Sequence, residues 1–197
     1  MKIEQNLIPL YHPNRPGIKL ETVKAIVIHY TGNSEPGADA MANIKYIGRK
    51  YIKKMNTFFE FDTIGFRYGS AHIFCDENCV RQAIPLDEVA WSCGDRPQPY
   101  TSVFKGQLPL AKQLFDNRQN YQTISVEICN NENWIKACEN AIQFCQWYLS
   151  ENNLFGKISV GDFSILRHYD LTGKICPKPF VDDLQAWGKF LFRIMNG

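Results

Sequence analysis

Two short apolar runs constrain this chain more than anything else in it. Residues 23–30 (Val-Lys-Ala-Ile-Val-Ile-His-Tyr) and 123–129 (Thr-Ile-Ser-Val-Glu-Ile-Cys) are too short for core helices and rich in β-branched residues. Runs of that kind are buried strands. After the second run, Trp134, Ala137, Cys138, Ala141, Ile142, Cys145, Tyr148 and Leu149 recur at helical spacing as one apolar stripe. Buried strands alternating with amphipathic helices predict an α/β fold, a mixed central sheet flanked by helices.

The remaining elements are read in the same way. Met41, Ile44, Ile47 and Tyr51 predict a helix within Gly37–Lys54, and Ser70–Ile84 predicts a hairpin turning at Asp76-Glu77-Asn78. Residues 92–109, with Pro97, Pro99 and Pro109, read as a long loop. Ser164–Arg167 reads as a further strand, running into a loop, and a last helix starts near Asp182-Asp183 with Leu184, Trp187, Leu191 and Ile194 inward. With 197 residues and no repeats or linkers, the expectation is a single domain over 1–197, its core spanning roughly residues 20–195.

A net charge of +2 gives no reason to expect a nucleic-acid partner, and Arg49-Lys50 with Lys53-Lys54 reads as a solvated helix face. No apolar stretch is long enough to insert into a membrane. The start, Met-Lys-Ile-Glu-Gln-Asn-Leu-Ile-Pro, has no apolar signal-peptide core, so synthesis in the cytoplasm is expected. Of the seven cysteines, Cys129, Cys138 and Cys145 lie among apolar residues and are expected to be small buried hydrophobes. Cys75 and Cys79 flank a turn, close enough to pair or to share a metal.

The chemistry is concentrated in Arg167-His-Tyr-Asp-Leu-Thr-Gly-Lys-Ile-Cys-Pro177. His168 and Cys176, joined by His29 at the end of the first strand, make three zinc donors and leave a fourth position open, the arrangement of a catalytic site. Singly, each has an ordinary alternative: a hydrogen-bonded histidine, a buried thiol. Glu127 interrupts an apolar strand and is either a solvent-facing residue on the side of Ser125 and Cys129 or a general base. Lys174 is either an ordinary loop lysine or a cation aimed at a developing oxyanion.

Five segments in order carry a resemblance that weighs on these alternatives. They are Ala-Ile-Val-Ile-His-Tyr-Thr-Gly at 25–32, Ser-Ala-His-Ile-Phe at 70–74, Val-Ala-Trp-Ser-Cys-Gly-Asp at 89–95, Ile-Ser-Val-Glu-Ile-Cys-Asn at 124–130, and His-Tyr-Asp-Leu-Thr-Gly-Lys-Ile-Cys-Pro at 168–177. The chain resembles the zinc-dependent N-acetylmuramoyl-L-alanine amidases of the amidase type 2 family, the phage-lysozyme-like and peptidoglycan-recognition-like hydrolases. It is most similar to the branch of Gram-positive autolysins and phage endolysins.

The resemblance implies one Zn²⁺ held by His29, His168 and Cys176, Glu127 as catalytic base, and Lys174 as transition-state stabiliser. It further implies that His72 lines the substrate groove, the alternative being a core histidine satisfied by backbone; Trp91, packed either against sugar or stem or in the core, and Asn130 are candidate substrate contacts. The implied partner is peptidoglycan, reached after release from the cell, with a separate wall-binding domain if the chain is part of a longer protein. A non-catalytic binding module on the same fold is the competing reading; such relatives lack the cysteine ligand, which Cys176 supplies here. Two positions depart from the pattern. Ser92 stands where many relatives have histidine, and Ala71 where some have tyrosine.

Overall fold

The computed structural model describes residues 1–49, 51–53, 63–65, 69–94, 114–158 and 163–196, with backbone only for 51–53 and 63–65. Among these residues eight strands are present: β1 Glu4–Gln5, β2 Ala25–Tyr30, β3 Tyr51–Lys53, β4 Thr63–Gly65, β5 Ile73–Cys75, β6 Val80–Gln82, β7 Thr123–Ile128 and β8 Ser164–Arg167. Six of them form one sheet in the order β1-β6-β5-β7-β2-β8. Its centre is parallel (β5, β7, β2, β8), and the β5–β6 hairpin is antiparallel. The sheet is therefore mixed, as expected. Strands β3 and β4 pair separately as an antiparallel ribbon.

Alternation decides what each face of the sheet holds. Ile26, Ile28, Ile124, Val126 and Ile128 point one way, into a core closed by helices α2 (Trp134–Glu151) and α5 (Leu184–Met195). Each fully buried Ile or Val contributes about 1.5–3 kcal/mol through the hydrophobic effect. The opposite face carries Ala25 and Val27, packed with Phe115 and Leu171, and Phe74 and Cys129, packed with helix α1 (Ala40–Ile47). His29 and Glu127 belong by parity to this second face. Cys138, Cys145 and Cys129 are buried among apolar neighbours, and Cys75 and Cys79 are free thiols in no metal-holding cluster among the described residues.

Three expectations need correction. The helix expected within Gly37–Lys54 ends at Ile47, and Tyr51 lies in β3. Gly48 caps it: its N–H reaches the Ile44 carbonyl, which a Cβ there would crowd at 3.3 Å. Lys50 and Lys54, and the greater part of the expected loop, 95–109, lie outside the described residues. In α5, Leu184 is 66% exposed, because Trp187, Phe190 and Ile194 form the inward face and Phe180 fills the space beside them. Finally, the segment after β8 is a short helix, α3 (His168–Thr172), rather than a loop; Gly173 at φ 78° ends it, and α4 (Lys178–Asp182) follows.

Buried polar groups fasten the periphery. Arg15 forks onto Glu88 (Nε–Oε2 2.9 Å, Nη2–Oε1 3.0 Å) and donates to the Ile8 carbonyl, pinning the N-terminal segment. At the β5–β6 turn, the buried Asp76 carboxylate accepts from the backbone N–H groups of Asn78, Cys79 and Ala40 (2.8, 2.8 and 3.0 Å), joining the hairpin to the start of α1. Removing that acceptor strands the donors. Asp76→Ala is expected to lower unfolding free energy by about 3 kcal/mol in urea titrations with the slope unchanged.

Candidate metal centre

Parallel pairing assembles the site at one level of the sheet. His29 is in register with Glu127 on β7, and Ile28 with Arg167, the last residue of β8. His168, the first residue of α3, thus emerges beside His29. Cys176 comes back to the same point after the Gly173 turn, where the Tyr169 N–H donates to the Cys176 carbonyl at 2.9 Å. Arg167 holds this excursion rigid. Its side chain pairs with Asp170 (Nη2–Oδ1 2.6 Å), which also accepts the Arg167 N–H, and it donates to the Phe180 carbonyl while lying over Trp187.

The ligand atoms of His29, His168 and Cys176 lie within 4.8 Å of one another, on side chains 2%, 3% and 4% exposed. His29 Nδ1 is 3.1 Å from His168 Nδ1 and 3.8 Å from Cys176 Sγ. A tetrahedral zinc with bonds of ~2.0–2.1 Å to nitrogen and ~2.3 Å to sulfur requires spacings of roughly 3.4 and 3.6 Å. The donor set fits. Its chemistry fits as well: His168 Nε2 is 3.2 Å from the Cys93 carbonyl, an acceptor only, so Nε2 carries the proton and Nδ1 presents its lone pair to the cluster.

Burial sets the charges. It lowers the pKa of His29 well below the usual imidazole range, with His168 and Lys174 adding to the effect, and pushes His168 down to about 3, Lys174 contributing second. The Cys176 thiol is pushed up to about 12 by burial, then by the Glu127 carboxylate. Such a neutral, dry donor set suits a cation, which would draw out the thiolate. Glu127 is half-buried; its Oε2 is buried with no hydrogen-bond partner among the described residues. Burial raises its pKa to about 7, against the opposing pull of Lys174. The face it shares with Ser125 and Cys129 is therefore not a solvent face, since both of those residues are buried. Lys174 is exposed, yet its charge acts on all four groups.

The other expected residues are placed variously. Asn130 follows β7 and accepts from the Thr31 hydroxyl at 3.1 Å, bridging the ends of the two site strands. Trp91 is half-buried, its indole N–H donated to the Pro13 carbonyl and its ring edge-on to Tyr121. Among the described residues His72 is fully buried: Nδ1 accepts the Ser125 N–H at 3.0 Å, and Nε2 donates to the Glu88 carbonyl at 2.8 Å, the arrangement of a core histidine satisfied by backbone. Its pairing partner on the neighbouring strand was not readable from its own segment. Ala71 is packed into the core beside α1. Ser92 lies against Cys93, with Oγ and Sγ 3.2 Å apart. Cys93 itself, which touches both histidine ligands, was missed, although it lies within the segment 89–95.

The fold and donor set define a mixed α/β domain with a three-residue cluster, His29, His168 and Cys176, that could hold a metal ion. The chain matches the N-acetylmuramoyl-L-alanine amidase family over residues 19–179 and belongs to it. It is 34% identical over 191 residues to the N-acetylmuramoyl-L-alanine amidase CwlL of Bacillus licheniformis, covering 93% of this chain and 44% of that protein. To BlyA of Bacillus subtilis (strain 168), another N-acetylmuramoyl-L-alanine amidase, it is 31% identical over 189 residues, covering 95% and 45%. The chain thus spans about half the length of the curated relatives it matches. Among solved structures, the catalytic domain of XlyA superposes with a TM-score of 0.67 at 27% identity, over 98% of this chain and 99% of that one.

Burial holds His72 near pKa 4, below the ~6.5 of an unfolded chain, so the unfolded state takes up the proton first. The contribution of neutral His72 is complete above pH ~6.5 and is lost as pH falls toward 4, a loss on the order of 3 kcal/mol. His72→Gln has no such proton to take up. The stability gap between wild type and His72→Gln, read by urea unfolding, is expected to narrow by that amount over this interval.

Proposed function

We propose that this chain is a zinc-dependent peptidoglycan amidase, hydrolysing the amide between the lactyl group of N-acetylmuramic acid and the L-alanine of the stem peptide. The observation that carries the reading is the cluster of His29, His168 and Cys176 in register with the half-buried Glu127. Family membership and the names of the relatives support the bond assignment, and a 27% identical structural neighbour described as a mutant endolysin from Bacillus subtilis supports a role as part of an endolysin or autolysin. The substrate is the cell wall. Among the described residues no helix is long and apolar enough to cross a membrane.

His29, His168 and Cys176 would hold the zinc, which supplies a Lewis acid for the scissile carbonyl and water activation near neutral pH. Glu127 carries the proton chemistry. Its buried Oε2, without a hydrogen-bond partner among the described residues, is available to accept a proton from the attacking water and to return it to the leaving alanine amine. Lys174 brings a positive charge to the same point, where negative charge develops on the carbonyl oxygen. Asn130 and Trp91 are proposed to border the bound glycopeptide.

A digest of purified cell wall tests this. New alanine N-termini, released only without chelator and with no new reducing sugar ends, are expected; reducing ends would refute the bond assignment, and binding without products would make the chain a recognition module. Glu127→Gln is expected to bind zinc at wild-type stoichiometry while losing roughly 10²–10⁴-fold in rate. Cys176→Ser is expected to lose zinc and activity together, measured by metal analysis after gel filtration.

A further inference from the structure

Cys93 is in contact with the outer nitrogens of both His29 and His168. Its carbonyl receives His168 Nε2–H at 3.2 Å, and its thiol lies 3.9 Å from His29 Nε2. The residue is fully buried between Ala25 and Val27 of the sheet and Leu171 of α3, beneath the donor cluster. Its backbone is fixed in turn. The buried Asn120 Oδ1 accepts from the N–H groups of Cys93 (2.9 Å) and Ser92 (3.2 Å), and Gln119 Nε2 donates to the Gly94 carbonyl at 2.7 Å.

We propose that Cys93 is a positioning residue that fixes both imidazoles as Nδ1 donors, and that Asn120 anchors it. The inference rests on the metal-site reading above. His168 has its tautomer set by a backbone carbonyl, so a substitution at position 93 leaves that bond available and only a shift of the turn disturbs it. His29 is different. With Nδ1 given to a cation, its proton would sit on Nε2, where Cys93 Sγ is an acceptor within reach. Without the cation, the 3.1 Å approach to His168 suits a proton on His29 Nδ1. A bound cation would favour the tautomer of His29 with its proton on Nε2 and the thiolate form of Cys176. The sulfur of Cys93 stabilises the tautomer that binds metal. Outer contacts of this kind set ligand orientation and basicity, and losing one typically weakens metal affinity 10–100-fold.

The test compares Cys93→Val, which fills the space without a polar atom, with Cys93→Ser, which retains an acceptor, and with Asn120→Ala. Zinc affinity is measured by competition with a chromophoric chelator, and the cobalt(II) derivative gives the visible spectrum of the ligand set. Cys93→Val and Asn120→Ala are expected to bind zinc about tenfold more weakly than wild type, with altered cobalt bands, and Cys93→Ser more tightly than Cys93→Val. A buried residue that served packing alone would reverse the last order, since valine suits an apolar site better than serine. Wild-type affinity and an unchanged cobalt spectrum in both Cys93→Val and Asn120→Ala would overturn the proposal. Should Cys93→Val fail to fold, Asn120→Ala and Cys93→Ser decide it: wild-type affinity in Asn120→Ala, or affinity in Cys93→Ser weaker than in Asn120→Ala, overturns it. Wild-type protein that takes up no zinc would instead overturn the metal-site reading itself.

Discussion

The register of three parallel strands determines everything that follows at this site. His29 on β2 lies beside Glu127 on β7, and β8 ends one residue short of His168 at the same level. Side chains alternate between faces, so slipping β7 by one residue would carry Glu127 into the apolar core beneath α2 and bring an isoleucine or valine to the cluster. The burial of Ile26, Ile28, Ile124, Val126 and Ile128 against the helices is what forbids that slip. Stability and chemistry are thus coupled: one face of each strand supplies the hydrophobic energy, and the other spends part of it on buried histidine, cysteine and glutamate.

That expense is visible in the titration behaviour of the site. Imidazoles lowered well out of their usual range, a thiol pushed up to about 12 and a carboxyl raised to about 7 are all consequences of desolvation first, with neighbouring charge second. Together they describe a dry cluster that is neutral by itself and complementary to a divalent cation. The Arg167–Asp170 pair and the aromatic group of Phe180, Trp187 and Phe190 keep the returning segment rigid enough for Cys176 to meet the two histidines.

Much of this was legible in the sequence, for reasons particular to each residue. The apolar runs identified β2 and β7, and the stripe from Trp134 to Leu149 identified α2, because burial on one side leaves a period. His29, His168, Cys176 and Glu127 were candidates because such groups are costly in apolar strands and their flanks, and the family resemblance, rather than any one residue, favoured them over their ordinary alternatives. Other features depend on partners distant in sequence. The burial of His72 follows from Ser125 on another strand, and the role of Cys93 follows from Asn120 and from both ligands. The end of α1 was set by Gly48 against a pattern that continued to Tyr51, and Leu184 fell outward because Phe190 takes the inward position. The short helix at His168 is signalled locally only by Asp170 accepting the Arg167 N–H.

The central claim is that two histidines and one cysteine, and no second cysteine, form the metal site. X-ray absorption at the zinc edge of the wild-type protein tests it most directly. The account predicts one sulfur at ~2.3 Å with nitrogen or oxygen ligands at ~2.0–2.1 Å and an imidazole scattering pattern. Two sulfurs, which would bring Cys93 into direct coordination, or none, would contradict it.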